Sequence, residues 1–212
     1  MKKRIFNLVI VDESGSMSCI EKQALAGMNE TLQTIVKMEK MHANVEQLTT
    51  LVTFDSSHRN FIFDNARAGE LRKMTSKDYR PGGATPLYDA IGEGIAKVNA
   101  QTTATDNVLV TIITDGEENC SREYSLQMIR NLIDKLKKQN WTFTFIGTDD
   151  LDVEGMASQM GIDNHLAFAE SAEGTKEMFE VERECRMDYC CCVSADRKSE
   201  AGTFFKRRNR RD

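Results

Sequence analysis

The segment Asp12-Glu13-Ser14-Gly15-Ser16 places a carboxylate and two hydroxyls at i, i+2 and i+4. It follows the apolar run Ile5–Val11 directly, so it opens a strand-to-helix loop. Gly15 is placed to let the chain turn tightly between the two serines. Oxygen donors converging in this way suit a hard divalent cation such as Mg²⁺ or Mn²⁺. Two further loops carry matching groups. Asp115-Gly116-Glu117 closes the run Val108–Thr114, and Pro81-Gly82-Gly83-Ala84-Thr85-Pro86 offers the Thr85 hydroxyl on a backbone that can approach closely. Each piece has a plainer use. Ser16, Ser18 or Thr85 can cap a helix, and an Asp at a strand end can bind turn amides. Their conjunction in loops at one end of a sheet favours a shared metal site. Glu13, Glu117 and Glu118 are either bases near that ion or a solvated rim. None of the three histidines, His42, His58 and His165, adjoins a motif, so no nucleophile–base pair is expected there.

The elements that hold these loops are legible from periodicity. Ile5–Val11, Leu48–Phe54, Asn60–Phe63, Val108–Thr114, Thr142–Gly147 and His165–Phe168 read as strands. Helices are predicted from Ser18 to about Lys40, from Pro86 to Asn99, over Glu123–Gln139, over Val153–Met160 and from Glu173 towards Cys192. The stretch Asn65–Gly83 is polar and has no clear assignment. Strands alternating with helices imply crossover connections and a mostly parallel sheet, with one antiparallel strand at the edge from the short turn Asp55–His58. Ligands bind such sheets beyond the carboxyl ends of the strands, where strand order reverses. With the first and fourth strands adjacent, Asp12 and Asp115 would face each other there.

These residues resemble the von Willebrand factor A family, whose metal-ion-dependent adhesion site combines a D-x-S-x-S loop, a Thr and an Asp. Asp12, Ser14 and Ser16 match the first loop, Thr85 in GGATPLYDAI the second and Asp115 in TIITDGEEN the third. The resemblance covers about residues 4–180. It implies an α/β, Rossmann-like three-layer fold with a six-stranded sheet ordered 3-2-1-4-5-6 and helices on both faces. It implies that Ser14, Ser16 and Thr85 ligate through hydroxyls, and Asp12 and Asp115 directly or through water. The likeness is to stand-alone intracellular bacterial members. The expected function is protein–protein interaction rather than catalysis, a partner's Asp or Glu completing the ion's shell.

Composition narrows the remaining choices. Of 212 residues, 40% are hydrophobic and 29% charged, which suits a globular chain and not a disordered one. No apolar run approaches a membrane span, and no signal peptide is legible, so a cytoplasmic location is expected. Six cysteines without a C-x-x-C pair read as free thiols rather than as disulfides or a zinc site. Residues 1–192 form the domain, with a net charge of −9. Residues 193–212 form a basic tail at +4, for which disorder is one reading. Two other functions stay open. A metal-assisted phosphatase or hydrolase would need a second Asp where Ser14 stands. Nucleic-acid association would use Lys206, Arg207, Arg208, Arg210 and Arg211, with Phe204 and Phe205 stacking or anchoring.

Overall fold

Every residue from Ile5 to Asp12 is buried, which requires cover on both faces of the strand that contains them. The computed structural model describes residues 2–197 and 203–205. That strand, β1 (Lys3–Asp12), lies mid-sheet between β2 (Val45–Phe54) and β4 (Asn107–Thr114), parallel to both. β3 (Arg59–Arg67) pairs antiparallel with β2 at one edge. β5 (Trp141–Thr148) and β6 (Asn164–Phe168) extend the parallel set on the other side. The order is 3-2-1-4-5-6, as expected.

Alternate side chains of one strand feed two cores. Phe6, Leu8 and Ile10 pack with α2 (Leu87–Asn99), α3 (Leu126–Leu136) and α4 (Val153–Met160). Ile5, Val9 and Val11 point the other way, towards α1 (Glu21–Met41) and α5 (Ala172–Ser194). Each fully buried aliphatic side chain contributes about 1.5–3 kcal/mol, so β1 alone anchors both layers.

Several boundaries differ from the sequence reading. The first helix is preceded by a 3-10 turn over Gly15–Cys19, with α1 proper starting at Glu21. β3 runs on to Arg67 and is followed by a 3-10 turn over Ala68–Glu70, which assigns the start of the polar stretch. Pro86 is the N-cap of α2, its carbonyl accepting from Ala90 N at 3.1 Å. The helix expected from Glu123 starts at Leu126 and ends in a 3-10 turn over Lys137–Gln139. Its start is delayed because Asp89 accepts the amides of Arg122, Glu123 and Tyr124 at 2.8–2.9 Å. Ser125 then caps the helix on Met128 N.

A buried charged network joins α5 to the sheet. The Arg186 guanidinium donates to Glu182 Oε1 at 2.5 Å, to Asn7 Oδ1 at 2.6 Å and to Thr111 Oγ1 at 2.9 Å. Thr31 of α1 donates to Glu182 Oε2 at 3.4 Å. The strands β1 and β4 and the helices α1 and α5 thus share one polar junction inside an apolar layer.

The tail falls partly within the described residues. Phe204 is buried, its ring 6.3 Å from that of Tyr189, and its amide donates to Asn164 Oδ1 at 2.9 Å. Phe205 packs edge-on to it. The basic cluster Lys206–Arg211 lies outside the described residues. No helix among the described residues is long and apolar enough to cross a membrane.

Candidate metal centre

β1 and β4 are neighbours whose onward connections leave on opposite sides, so the crevice between their carboxyl ends is the sheet's switch point. Asp12 is the last residue of β1, and Asp115 immediately follows β4. Both are buried. Ser16 Oγ donates to Asp115 Oδ1 at 2.8 Å and stands 3.2 Å from Ser14 Oγ, which itself lies 3.5 Å from the same carboxylate oxygen. Asp12 Oδ1 accepts from Ser14 N at 2.7 Å, and Asp12 Oδ2 from Thr114 Oγ1 at 2.6 Å. The turn-amide role is therefore real for Asp12, and it leaves the two serine hydroxyls beside Asp115. Thr85 is buried, with its Oγ1 3.0 Å from where a Cβ on Gly116 would sit. This puts it against the backbone next to Asp115. The five expected residues are thus drawn together at one point of the fold.

Three loops are laced together to hold them. Gly15 N donates to Gly83 O at 3.1 Å and Gly82 N to Glu13 O at 2.8 Å, tying the first loop to the second. Thr85 N donates to Asn119 Oδ1 at 2.9 Å and Asn119 N to Thr85 O at 3.2 Å, tying the second to the third. Tyr79, fully buried, donates its hydroxyl to Asp12 O at 2.8 Å. Within these loops the left-handed backbone falls at Gly83, φ +73°. A Cβ at Gly83 would also meet Ser56 Oγ at 2.6 Å.

Neither rim nor base describes the acidic residues well. Glu13 is buried and accepts the Arg80 amide, while Glu118 accepts from Tyr88 N, Cys120 N and Ser121 N at 2.6–2.9 Å. Both organise loops, and only Glu117 is exposed as a rim residue would be. One expectation is overturned. His58 does adjoin a motif, its Nε2 3.4 Å from Glu13 Oε2, because the β2–β3 turn folds over the first loop. Its Nδ1 is 2.9 Å from Ser57 Oγ and 3.0 Å from Asp55 Oδ1, so both ring nitrogens face groups of the scaffold.

The two carboxylates are electrostatically crowded. Burial pushes Asp115 up to about 6 against the opposing pull of the Ser16 hydroxyl, with negative Asp12 and Glu170 adding to the rise. Burial also raises Asp12, which Thr114 and Ser14 partly offset. Asp115 Oδ2 is buried without any hydrogen-bond partner. Two crowded carboxylates, an orphaned oxygen and neighbouring hydroxyls fit a hard divalent ion. Among the described residues no group of three or more His, Cys, Asp or Glu is placed to hold a metal, so any ion here depends on hydroxyl donors.

The fold is that of the Rossmann-like three-layer domains. Within that class, this chain belongs to the von Willebrand factor type A domain family, whose model matches residues 8–181. No curated protein matches the sequence. Solved structures resemble it in fold. The PilB minor pilin from Streptococcus sanguinis is 12% identical with a TM-score of 0.63, covering 88% of this chain and 61% of the pilin. The open form of the pilus adhesin SpaC from Lactobacillus rhamnosus GG is 14% identical with a TM-score of 0.65, covering 88% of this chain and 30% of SpaC. The von Willebrand domain of the type V pili tip protein Mfa5 from Porphyromonas gingivalis is 9% identical with a TM-score of 0.61, covering 85% and 95%. This chain thus spans less than two thirds of the first two proteins.

Proposed function

We propose that this chain is a metal-dependent protein-interaction module. Asp12, Ser14, Ser16, Thr85 and Asp115 would hold Mg²⁺ or Mn²⁺, and a partner's Asp or Glu would complete the coordination. Domains of this family generally mediate protein–protein interaction. The observation that carries the reading further is the buried, unpartnered Asp115 Oδ2 beside two serine hydroxyls at the sheet's switch point. A bound ion supplies positive charge and electrophilic character at that point.

The chain's own residues explain why binding is favoured over turnover. Three of the five donors are neutral hydroxyls, so little negative charge is spent on the ion and an added carboxylate is welcome. Asp12 is oriented by Ser14 N and Thr114, and Thr85 by Asn119, so the donors are preorganised. His58 is engaged with Glu13, Asp55 and Ser57, which leaves it poorly placed as a base. The described body is acidic, so a complementary docking surface must offset its repulsion of an acidic partner. None of the six cysteines is placed in a disulfide, which suits a reducing, cytoplasmic setting. Phe204 is buried, which argues against its stacking on nucleic-acid bases.

Thermal unfolding tests the site. Titrating Mg²⁺ or Mn²⁺ into chelator-treated protein should raise apparent stability by about 2.7 kcal/mol at a hundredfold excess over Kd. Ser14→Ala should abolish the rise. No rise in the wild type at several-fold higher metal would remove the metal from the proposal.

A further inference from the structure

A second surface lies far from the metal centre. Between the carboxyl-terminal half of α1 and the segment after the 3-10 turn at Ala68–Glu70 runs a groove of about 520 Å³. Its floor is apolar: Leu32, Val36 and Leu71. Its rim carries Lys37 and Lys40 on one wall and Lys73 on the other. Among the described residues no Asp or Glu lines it. Met41, the last residue of α1, continues the floor and is 60% exposed, one of two such large hydrophobic side chains among the described residues.

The groove is built rather than incidental. Asn29 of α1 accepts from Met74 N at 2.7 Å and donates to Met74 O at 3.1 Å, which pins the far wall to the helix. Arg72 is held by Asp78 in two hydrogen bonds of 2.6 and 2.9 Å, so it braces that wall rather than the rim. Lys37, Lys40 and Lys73 are exposed and have no acidic partner among the described residues. Lys40 sits in the last turn of α1, where a cation complements the helix dipole. Lys73, on the opposite wall, has no such task. Three cations thus gather over an apolar floor on a body whose net charge is −9.

We propose that this groove docks an acidic amphipathic helix of a partner protein. The helix would lay its apolar stripe on Val36 and Leu71 and its carboxylates against the three lysines. Asn29 to Met41 spans about 18 Å of axis, which accommodates a partner helix of about 12 residues. An open trough bounded by exposed side chains suits a helix better than a small apolar ligand, which needs enclosure. The groove runs along the half of α1 remote from the metal loops, from about 12 to about 30 Å along the helix from its start. Docking here therefore needs no metal, and it stands independently of the proposed metal centre.

The test uses the full chain in chelator. The probe is a fluorescein-labelled, amidated helical peptide of about 14 residues with leucines at i, i+3, i+4 and i+7 and glutamates elsewhere. Saturable binding with Kd on the order of 10–100 μM is expected, with amide NMR shifts confined to Val36, Met41 and Leu71. Lys37→Glu with Lys40→Glu should weaken it at least about tenfold and restore binding of the same peptide carrying lysines for glutamates. Ser14→Ala should bind the probe as the wild type does, whatever the fate of the metal proposal. Equal binding to wild type and charge-reversed protein, or none at about 1 mM probe, would overturn the proposal. A concentration-dependent dimer lost in Val36→Asp, without peptide binding, would instead assign the groove to a second copy.

Discussion

Asp115 binds a proton more readily than an ordinary aspartate because its burial, with Asp12 and Glu170 near, disfavours its charge. Its pKa is about 6 in the folded chain against 3.8 for a free side chain. In metal-free protein between those values, the folded state keeps a proton that the unfolded state has lost. The contribution of Asp115 to stability therefore falls as pH rises from 4 to 6, by up to about 2–3 kcal/mol. Asp12 contributes in the same direction. Urea unfolding in chelator should show this decline as the stability of the wild type minus that of Asp115→Asn, measured across the window. Parallel profiles would mean that the Asp115 proton is not held. The donors themselves were legible in the sequence because D-x-S-x-S packs three of them into five residues, and Thr85 and Asp115 sit in loops of matching chemistry. Their supports were not. Thr114, Tyr79 and Asn119 act through contacts that cross the sheet or join separate loops, and nothing in local spacing marks them. The His58–Glu13 approach was missed for the same reason: only the fold of the β2–β3 turn brings them together.

Strands and helices were legible wherever one hydrophobic period ran unbroken, as over β1 and α4. Ambiguity entered where polar side chains took over backbone amides. Asp89 does this ahead of α3, where burial raises its pKa yet three amide donors carry it below the ordinary value. α5 shows a different limit. Glu182 and Arg186 have the i, i+4 spacing of a surface pair. Both are instead buried, because Asn7 and Thr111 open a polar spot on the sheet beneath them. Arg186→Met should leave Glu182 charged and unpaired in that layer and cost about 3–5 kcal/mol. Arg186→Met with Glu182→Leu should recover most of the loss, since two apolar side chains replace the pair. The measurement is denaturant unfolding of both variants. A single variant within about 1 kcal/mol of wild type would show that water reaches the pair.

Across the whole molecule, the candidate metal loops and the docked tail occupy opposite ends of the sheet. The candidate metal loops crown the carboxyl ends of β1 and β4, whereas Phe204 docks at the start of β6 and on Tyr189. Sequence alone treated everything after residue 192 as one basic tail, since its charge dominates its composition. The structure divides it, because a buried aromatic with a bonded amide belongs to the core whatever follows it. Phe204→Ala should therefore cost about 3 kcal/mol by leaving a cavity beside Tyr189. Deleting residues 206–212 should leave the melting temperature of the metal-free protein close to that of the full chain. The metal-induced rise should be the same in both variants as in the wild type, because sites this far apart with no shared partner contribute additively. Calorimetry of the three proteins with and without Mg²⁺ reads all three quantities. If Phe204→Ala melted with the wild type, the chain beyond α5 would be a passenger. If it also diminished the metal response, the two ends of the sheet would be coupled through α5, the element that packs on Phe204 and on the centre of the sheet.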